Sequence, residues 1–284
     1  MRPFDQLRAL TPGRGQVGLL WLGQAGFALR GADTLLLLDP FLSAHEERKV
    51  EPPVEPREAT GVDAVACSHE HWDHFDAGTV AAVAVASAHA KVVVPLPIVD
   101  QVVALGIEPQ RVIGAQPSEP IEIGSAVIHP VPARHGVDVA DAYDFGHDRS
   151  GGLCRYLGYV VELNEVRIYH AGDTITYPDM ARELRELNIE LALLPINGRD
   201  AFRERANVVG NMDAAEALTV AESAGADVLV PMHYDMFDAN PGYPSHLVDI
   251  AQRRHSPLTL LLPSVGRPFV YASARPVAAE RTGA

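Results

Sequence analysis

The hexapeptide His69-Glu70-His71-Trp72-Asp73-His74 follows directly on an apolar run, Val62 to Cys67, and that pairing constrains the chain more than any other feature. The run reads as a buried strand. Ser68 opens a loop, and Asp76-Ala77-Gly78 leads into a helix. Three imidazoles and a carboxylate within six residues are donor types that bind a divalent transition metal without cysteine. Donors at the carboxyl end of a strand, before a helix, lie where an α/β enzyme holds its ligands. A solvated histidine cluster needs no such placement, so a metal site is expected here.

The 284 residues suffice for the core of one large domain or two small ones, and no linker or short-period repeat divides them. A single domain over residues 1–284 is expected. The net charge of −14 disfavours DNA or RNA as partner, because a polyanion is repelled and no basic stripe is present. A small anionic substrate stays compatible, since metal ions and a few arginines reverse the field locally. No apolar run approaches the roughly 18 residues of a membrane span. Met1 to Asp5 lacks the apolar core of a signal peptide, and two cysteines make no disulfide framework, so a cytoplasmic protein is expected.

Hydrophobic periodicity places strands at Val17–Leu22, Gly26–Arg30, Thr34–Leu38, Lys91–Val94, Ile121–Ile128, Leu157–Leu163, Val166–His170, Leu191–Pro195, Val228–Pro231 and Leu258–Leu262. Helices are expected at Thr79–Ala90, Ile98–Leu105, Pro178–Leu187, Asp213–Ala224 and Ser245–His255. Residues 46–60, with three prolines among charges, read as an exposed loop, and 133–152 as a long functional loop. Strand-rich and mixed segments in both halves suggest two sheets face to face with helices outside.

Further donors recur at strand ends: His135, Asp173 and His233. With the opening cluster they make seven nitrogen and oxygen ligands, enough for two ions sharing one carboxylate. This pattern resembles the metallo-β-lactamase superfamily of metal-dependent hydrolases across nearly the whole chain. The resemblance implies that His69, His71 and His135 hold one metal, that Asp73, His74 and His233 hold the second, and that Asp173 bridges them. It further implies a four-layer αββα sandwich of two mixed β-sheets flanked by helices, manganese or zinc as the ions, and assembly as a homo-oligomer. Within the superfamily, the segments Asp39-Pro40-Phe41, Tyr169 to Thr174, Pro195 to Asp200, Gly210 to Asp213 and Pro231 to Asp235 are most similar to the ascorbate-6-phosphate lactonase branch. His at position 71, rather than Glu, argues against an oxygen-reducing diiron site.

Two ions roughly 3.5–4 Å apart lower the pKa of a shared water towards about 7, which supplies hydroxide for attack on an ester, lactone or phosphoester. Asp73 is the candidate for orienting that nucleophile and relaying its proton, with service as a ligand only as the other reading. Tyr234 either donates a hydrogen bond to the reacting oxygen or packs against the cage. Asp39 either receives the far N–H of a liganding histidine or forms the turn before Pro40. His170 either buttresses the site or packs as a strand histidine. For substrate contact the candidates are Asn197, Arg199, Asn211 and Tyr143, Arg199 because a guanidinium holds an anion through two parallel hydrogen bonds. Arg203 and Arg205 read as a self-paired charge run. The expected function is hydrolysis of a small acidic or phosphorylated lactone or ester. A small-molecule phosphodiesterase on the same site is the alternative, and a non-catalytic metal-binding or metabolite-sensing protein is a third.

Overall fold

The computed structural model describes residues 1–135, 154–206, 208 and 210–275. Strands with apolar side chains on both faces read as continuous apolar runs rather than alternating ones, and this chain has many. Among the described residues they form two seven-stranded sheets. The first begins with the antiparallel meander β1 (Gln16–Gly23), β2 (Gly26–Arg30) and β3 (Leu35–Leu38). It continues in parallel through β4 (Ala64–Ala66), β5 (Lys91–Pro95) and β6 (Val112–Ala115). The second repeats the plan, with β7 (Ile121–Ile123), β8 (Ala126–Pro132), β9 (Leu157–Leu163) and β10 (Val166–His170) antiparallel. The strands β11 (Leu191–Pro195), β12 (Val228–Met232) and β13 (Thr259–Leu260) then run parallel. Finally β14 (Phe269–Ala272) returns to the first sheet and pairs antiparallel with β1.

Alternation along each strand sorts the side chains into layers. In β1, Val17, Leu19 and Trp21 join Tyr159, Val161 and Ile168 in the core between the sheets. Leu20 and Leu22 point the other way, onto α1 (Pro3–Arg8), α2 (Ala77–Ala86) and α3 (Val99–Val103), through Leu7, Val80 and Val102. The outer face of the second sheet is covered by α4 (Met180–Glu186), and, beyond the short α5 (Ala201–Arg205), by α6 (Ala214–Ala224) and α7 (Pro244–Arg254). The expected arrangement of two mixed sheets flanked by helices is what the chain adopts. No helix among the described residues is long and apolar enough to cross a membrane.

Several expectations need correction. Ile121–Ile128 is not one strand but a hairpin, because Gly124 at φ 57° turns the chain between β7 and β8. The helix expected over Thr79–Ala90 stops at Ala86: Ser87 leaves helical geometry, and its hydroxyl donates to Ala59 O while accepting from Val62 N. The segment 46–60 is not simply exposed, since Val54 and Ala59 are buried in the helix-side core. The elements α1, β6, α5 and β14 were not expected; each is short, and β14 is an edge strand with only alternate residues turned inward.

The turn after β4 is anchored by Asp76. Its carboxylate caps α2 by accepting from Gly78 N and Thr79 N, and it also accepts from Leu42 N and Ser43 N. This one side chain ties the loop after β3 to the start of α2, where the histidine-rich turn ends. Replacing Leu19, wholly buried between the sheets, by Ala is expected to lower stability by about 2–5 kcal/mol. The measurement is a denaturant midpoint, and a change under ~1 kcal/mol would show that the intersheet core can collapse around the lost volume.

Candidate metal centre

Loops after β4, β8, β10 and β12 bring all seven expected donors to one end of the sandwich. Two groups result, His69 with His71, His135 and Asp173, and Asp73 with His74 and His233; within each, one ligand atom per residue lies within 4.8 Å of the others. Asp173 faces both. Its Oδ1 is 3.3 Å from His74 Nε2 and 3.2 Å from His233 Nε2, while Oδ2 is 3.5 Å from His135 Nε2.

Unsatisfied atoms test whether a cation fits. His74 Nε2 and Asp173 Oδ1 are buried without a hydrogen-bond partner, an arrangement that is rare unless something else satisfies them. His69 Nε2 and His71 Nδ1 stand 2.8 Å apart, so a shared proton or a cation must lie between them. Two ligands about 2.0–2.1 Å from one tetrahedral ion are separated by about 3.3–3.4 Å, the spacing that Asp173 keeps from its imidazoles. The residues present fit divalent ions, and the His/Asp clusters are able to bind metal.

A hydrogen-bond chain behind the cluster sets the histidine tautomers. Asp39 is fully buried and acts only as an acceptor, so His74 Nδ1 donates to its Oδ2 at 2.6 Å and turns Nε2 toward Asp173. Ser68 N and Ser68 Oγ also donate to Asp39, each at 2.6 Å. With its only hydrogen so used, Ser68 Oγ accepts from His69 Nδ1 at 2.9 Å, which frees His69 Nε2 for the cluster. Asp39 therefore acts behind the site as well as in the turn, the first of its two readings. Backbone geometry adds rigidity: Gln24, Asp39 and His233 all hold positive φ, at 53°, 42° and 59°. Such conformations persist at non-glycine residues only when the surroundings enforce them. Gly172 has φ 58°, and a Cβ there would lie 2.6 Å from Ser68 Cβ, so only glycine lets the Asp173 loop pass Ser68.

The protonation states divide along the same lines. Burial is the largest effect on His69, His71 and His135 and pushes all three down, His71 to about 4 and His135 to about 3, so their lone pairs stay available. Burial also opposes charge on His74 and His233, but Asp173 and Asp73 together outweigh it and raise both rings. The carboxyls of Asp73 and Asp173 are held below the usual range, because the neighbouring imidazoles prevail over burial.

The expected substrate residues are placed differently. Arg199 lays its guanidinium against Glu216, with Nη1 and Nη2 each 2.7 Å from a carboxylate oxygen, and Nη1 also donates to Asn211 O. It braces the loop before α6 rather than presenting an open fork to an anion. Asn211 is wholly buried, donates to Asn197 Oδ1 and does not line the cavity over the donors, while Asn197 donates to Asn240 and borders a larger neighbouring cavity. Arg203 is not merely self-paired: besides Asp200 it bonds Asn197 O and Asn240 Oδ1. Tyr234 packs its ring on Trp21 with centroids 5.3 Å apart, and burial pushes its phenol up. It is absent from the lining of the cavity over the donors, which corresponds to its packing reading. His170 donates from Nε2 to Ala25 O and accepts at Nδ1 from Gly172 N, so it buttresses two backbones without facing the cations. Tyr143 lies outside the described residues.

Three side chains at the site escaped the sequence reading. Gln24 reaches Asp73 from the β1–β2 turn, Ser68 relays Asp39 to His69, and Tyr156 covers the rings of His69 and His135 at 5.2 and 5.4 Å. The only signal for Gln24 is a long amide set among glycines in a tight turn. For Ser68 it is position, between a buried strand and the first histidine.

These features define a metal-binding cleft at the end of a two-sheet sandwich. The chain matches the family described as Beta-lactamase superfamily domain over residues 34–234. It is 32% identical over 249 residues to a UPF0173 metal-dependent hydrolase of Opitutus terrae, covering 86% of this chain and 96% of the relative. A UPF0173 metal-dependent hydrolase of Aeropyrum pernix is 30% identical over 258 residues, covering 89% and 97%. In fold the chain is similar to Igni18, a metallo hydrolase of Ignicoccus hospitalis, with a TM-score of 0.70 and 22% identity over 91% of this chain and 99% of that one. This chain belongs to the β-lactamase superfamily and, within it, to the UPF0173 metal-dependent hydrolases.

Asp39→Asn is expected to weaken metal binding about 10–100-fold, because an amide has one acceptor oxygen and cannot accept from Ser68 N on one side and from Ser68 Oγ and His74 Nδ1 on the other. Chelator competition measures this, and unaltered affinity would remove Asp39 from the orienting role. A second expectation concerns Glu216. Burial pushes its carboxyl up, but Arg199 and Asp213 N–H outweigh that and hold it below 4.5. A depressed folded-state pKa contributes stability that is present above the unfolded value and is lost as pH falls through the folded one. Glu216→Gln should therefore flatten the fall in melting temperature below about pH 4.5; an unchanged acid slope would show that this pair contributes nothing.

Proposed function

We propose that the protein hydrolyses a small lactone or ester with two divalent ions held between the His69/His71/His135 and Asp73/His74/His233 triplets. The observation that carries this reading is Asp173, one carboxylate with an oxygen turned to each triplet. Divalent ions at such a site make water nucleophilic at neutral pH and withdraw electron density from a carbonyl oxygen. The protein's own groups do the positioning. Asp73, whose Oδ2 takes the Gln24 amide, leaves Oδ1 to accept a hydrogen bond from the attacking water. The cavity above the donors measures about 200 Å³, with Trp72, Phe237 and Asn240 among its walls. Its size favours a small substrate, and Phe237 with the half-exposed Trp72 gives it apolar surface beside the reacting bond.

An acidic or phosphorylated group on the substrate finds its counter-charge in the cations, since Arg199 is engaged by Glu216. Manganese and zinc both suit a set of five imidazoles and two carboxylates. The test is turnover by manganese- or zinc-loaded protein on sugar-acid lactones with and without phosphate, simple carboxylic esters, and bis(p-nitrophenyl) phosphate. Lactone or ester hydrolysis is expected, with kcat reduced at least ~100-fold in Asp73→Asn at retained fold. Preferential cleavage of the phosphodiester would replace this reading with a phosphodiesterase, and no turnover on any member would sink the lactone and ester assignment.

A further inference from the structure

The β1–β2 turn places Gln24 in the interior, 2% exposed, with its side chain directed at the second triplet. Gln24 Nε2 lies 2.7 Å from Asp73 Oδ2 and 3.1 Å from His233 Nε2. The amide's orientation follows from its neighbour: an ionised carboxylate only accepts, so the atom facing Asp73 must be the NH2 group. That same Asp73 Oδ2 is 3.5 Å from His233 Nε2 and 3.8 Å from His74 Nε2, so it is the oxygen of Asp73 that faces the other two donors. The amide thus bonds the Asp73 oxygen that faces the triplet, and passes beside His233 Nε2, whose one lone pair is left for an ion.

The turn does not need this side chain to hold its shape. Gln24 O accepts from Trp21 Nε1 at 3.1 Å and from His233 N at 3.1 Å. Trp21 is buried between the sheets, so the turn is pinned by its backbone on two sides while the amide is free to serve the cluster. A buried glutamine held at φ 53° is an unfavourable choice for a turn flanked by Gly23 and Gly26, unless the side chain has work at its far end.

We propose that Gln24 is the positioning residue of the Asp73/His74/His233 triplet, its amide fixing the carboxylate of Asp73 beside the two rings that would share an ion with it. The inference rests on the two-ion reading above. Partners behind a ligand that fix its orientation are worth about 10–100-fold in metal affinity, and here the partner bonds the ligand oxygen directly.

The experiment is Zn2+ binding by chelator competition on metal-free protein, for wild type, Gln24→Ala and Gln24→Met. The methionine keeps the length and volume of the side chain and removes only its hydrogen-bonding end, which guards against misfolding of the alanine variant. Two Zn2+ per chain are expected in wild type, with one step weakened about 10–100-fold in both variants and the other unchanged. In an Asp73→Ala background, Gln24→Met should cost little further, because the pathway through Asp73 is already gone. Equal weakening of both steps, unchanged binding, or a full Gln24→Met effect without Asp73 would each overturn the role. Wild-type protein that takes no second Zn2+ would overturn the two-ion reading and this proposal together, an outcome separate from two ions in wild type and variant alike.

Discussion

A carboxylate that is 5% exposed and ringed by imidazoles is the feature on which the rest depends. Removing Asp173 from water is costly, and opposite charge close to it offsets that cost. Asp173 and Asp73 in turn raise the rings of His74 and His233 against the effect of burial, so each ring favours charge more than burial alone would allow. A divalent ion can supply the opposite charge in their place, releasing any ring proton as it binds. The surrounding architecture serves this exchange: one Asp39 carboxylate and one Ser68 hydroxyl fix two ring tautomers, and a glycine at 172 lets the loop pass close enough.

Much of this was legible in the amino-acid sequence. Seven donors at the ends of apolar runs required only that those runs be strands of the same sandwich. The buried strands announced themselves because side chains face a layer on either side, as in Leu35 to Leu38. Less was legible where meaning depends on three-dimensional partners. Arg199 looks like an anion clamp until Glu216, seventeen residues on, is found across from it. Asn211 and Tyr234 sit in segments that resemble a substrate loop, yet one is wholly buried and the other packs on Trp21. Gln24 and Ser68 carry no pattern of their own; they matter because a turn and a strand end happen to face the cluster. The short edge elements escaped for a related reason, since four residues with alternate burial hold too few apolar positions to show a period.

The loops of the site are also bonded to each other, not only to their strands. Arg134 N donates to Thr174 Oγ1 and Ile175 N to Arg134 O, which links the His135 and Asp173 loops. Met212 N donates to Thr174 O, and Gly198 N to Met212 O, so the Arg199 brace reaches the Asp173 loop through two backbone steps. Arginine here stiffens the floor of the cleft. On the proposed two-ion reading, the charge that meets an acidic substrate comes from the ions, and affinity for it follows metal occupancy.

The return of β14 to the edge of β1 has a consequence for how the molecule is made. Val17 lies opposite Tyr271, so β1 finds its outer neighbour only after all the residues between them have been made. In the interval β1 offers a row of unpaired amides and carbonyls to any passing strand. His233 too arrives long after His69, so the nascent N-terminal half has part of a cage and an open border at once. The donor cluster is therefore complete only once His233 has been made, and the border of the first sheet is sealed later still, when β14 docks.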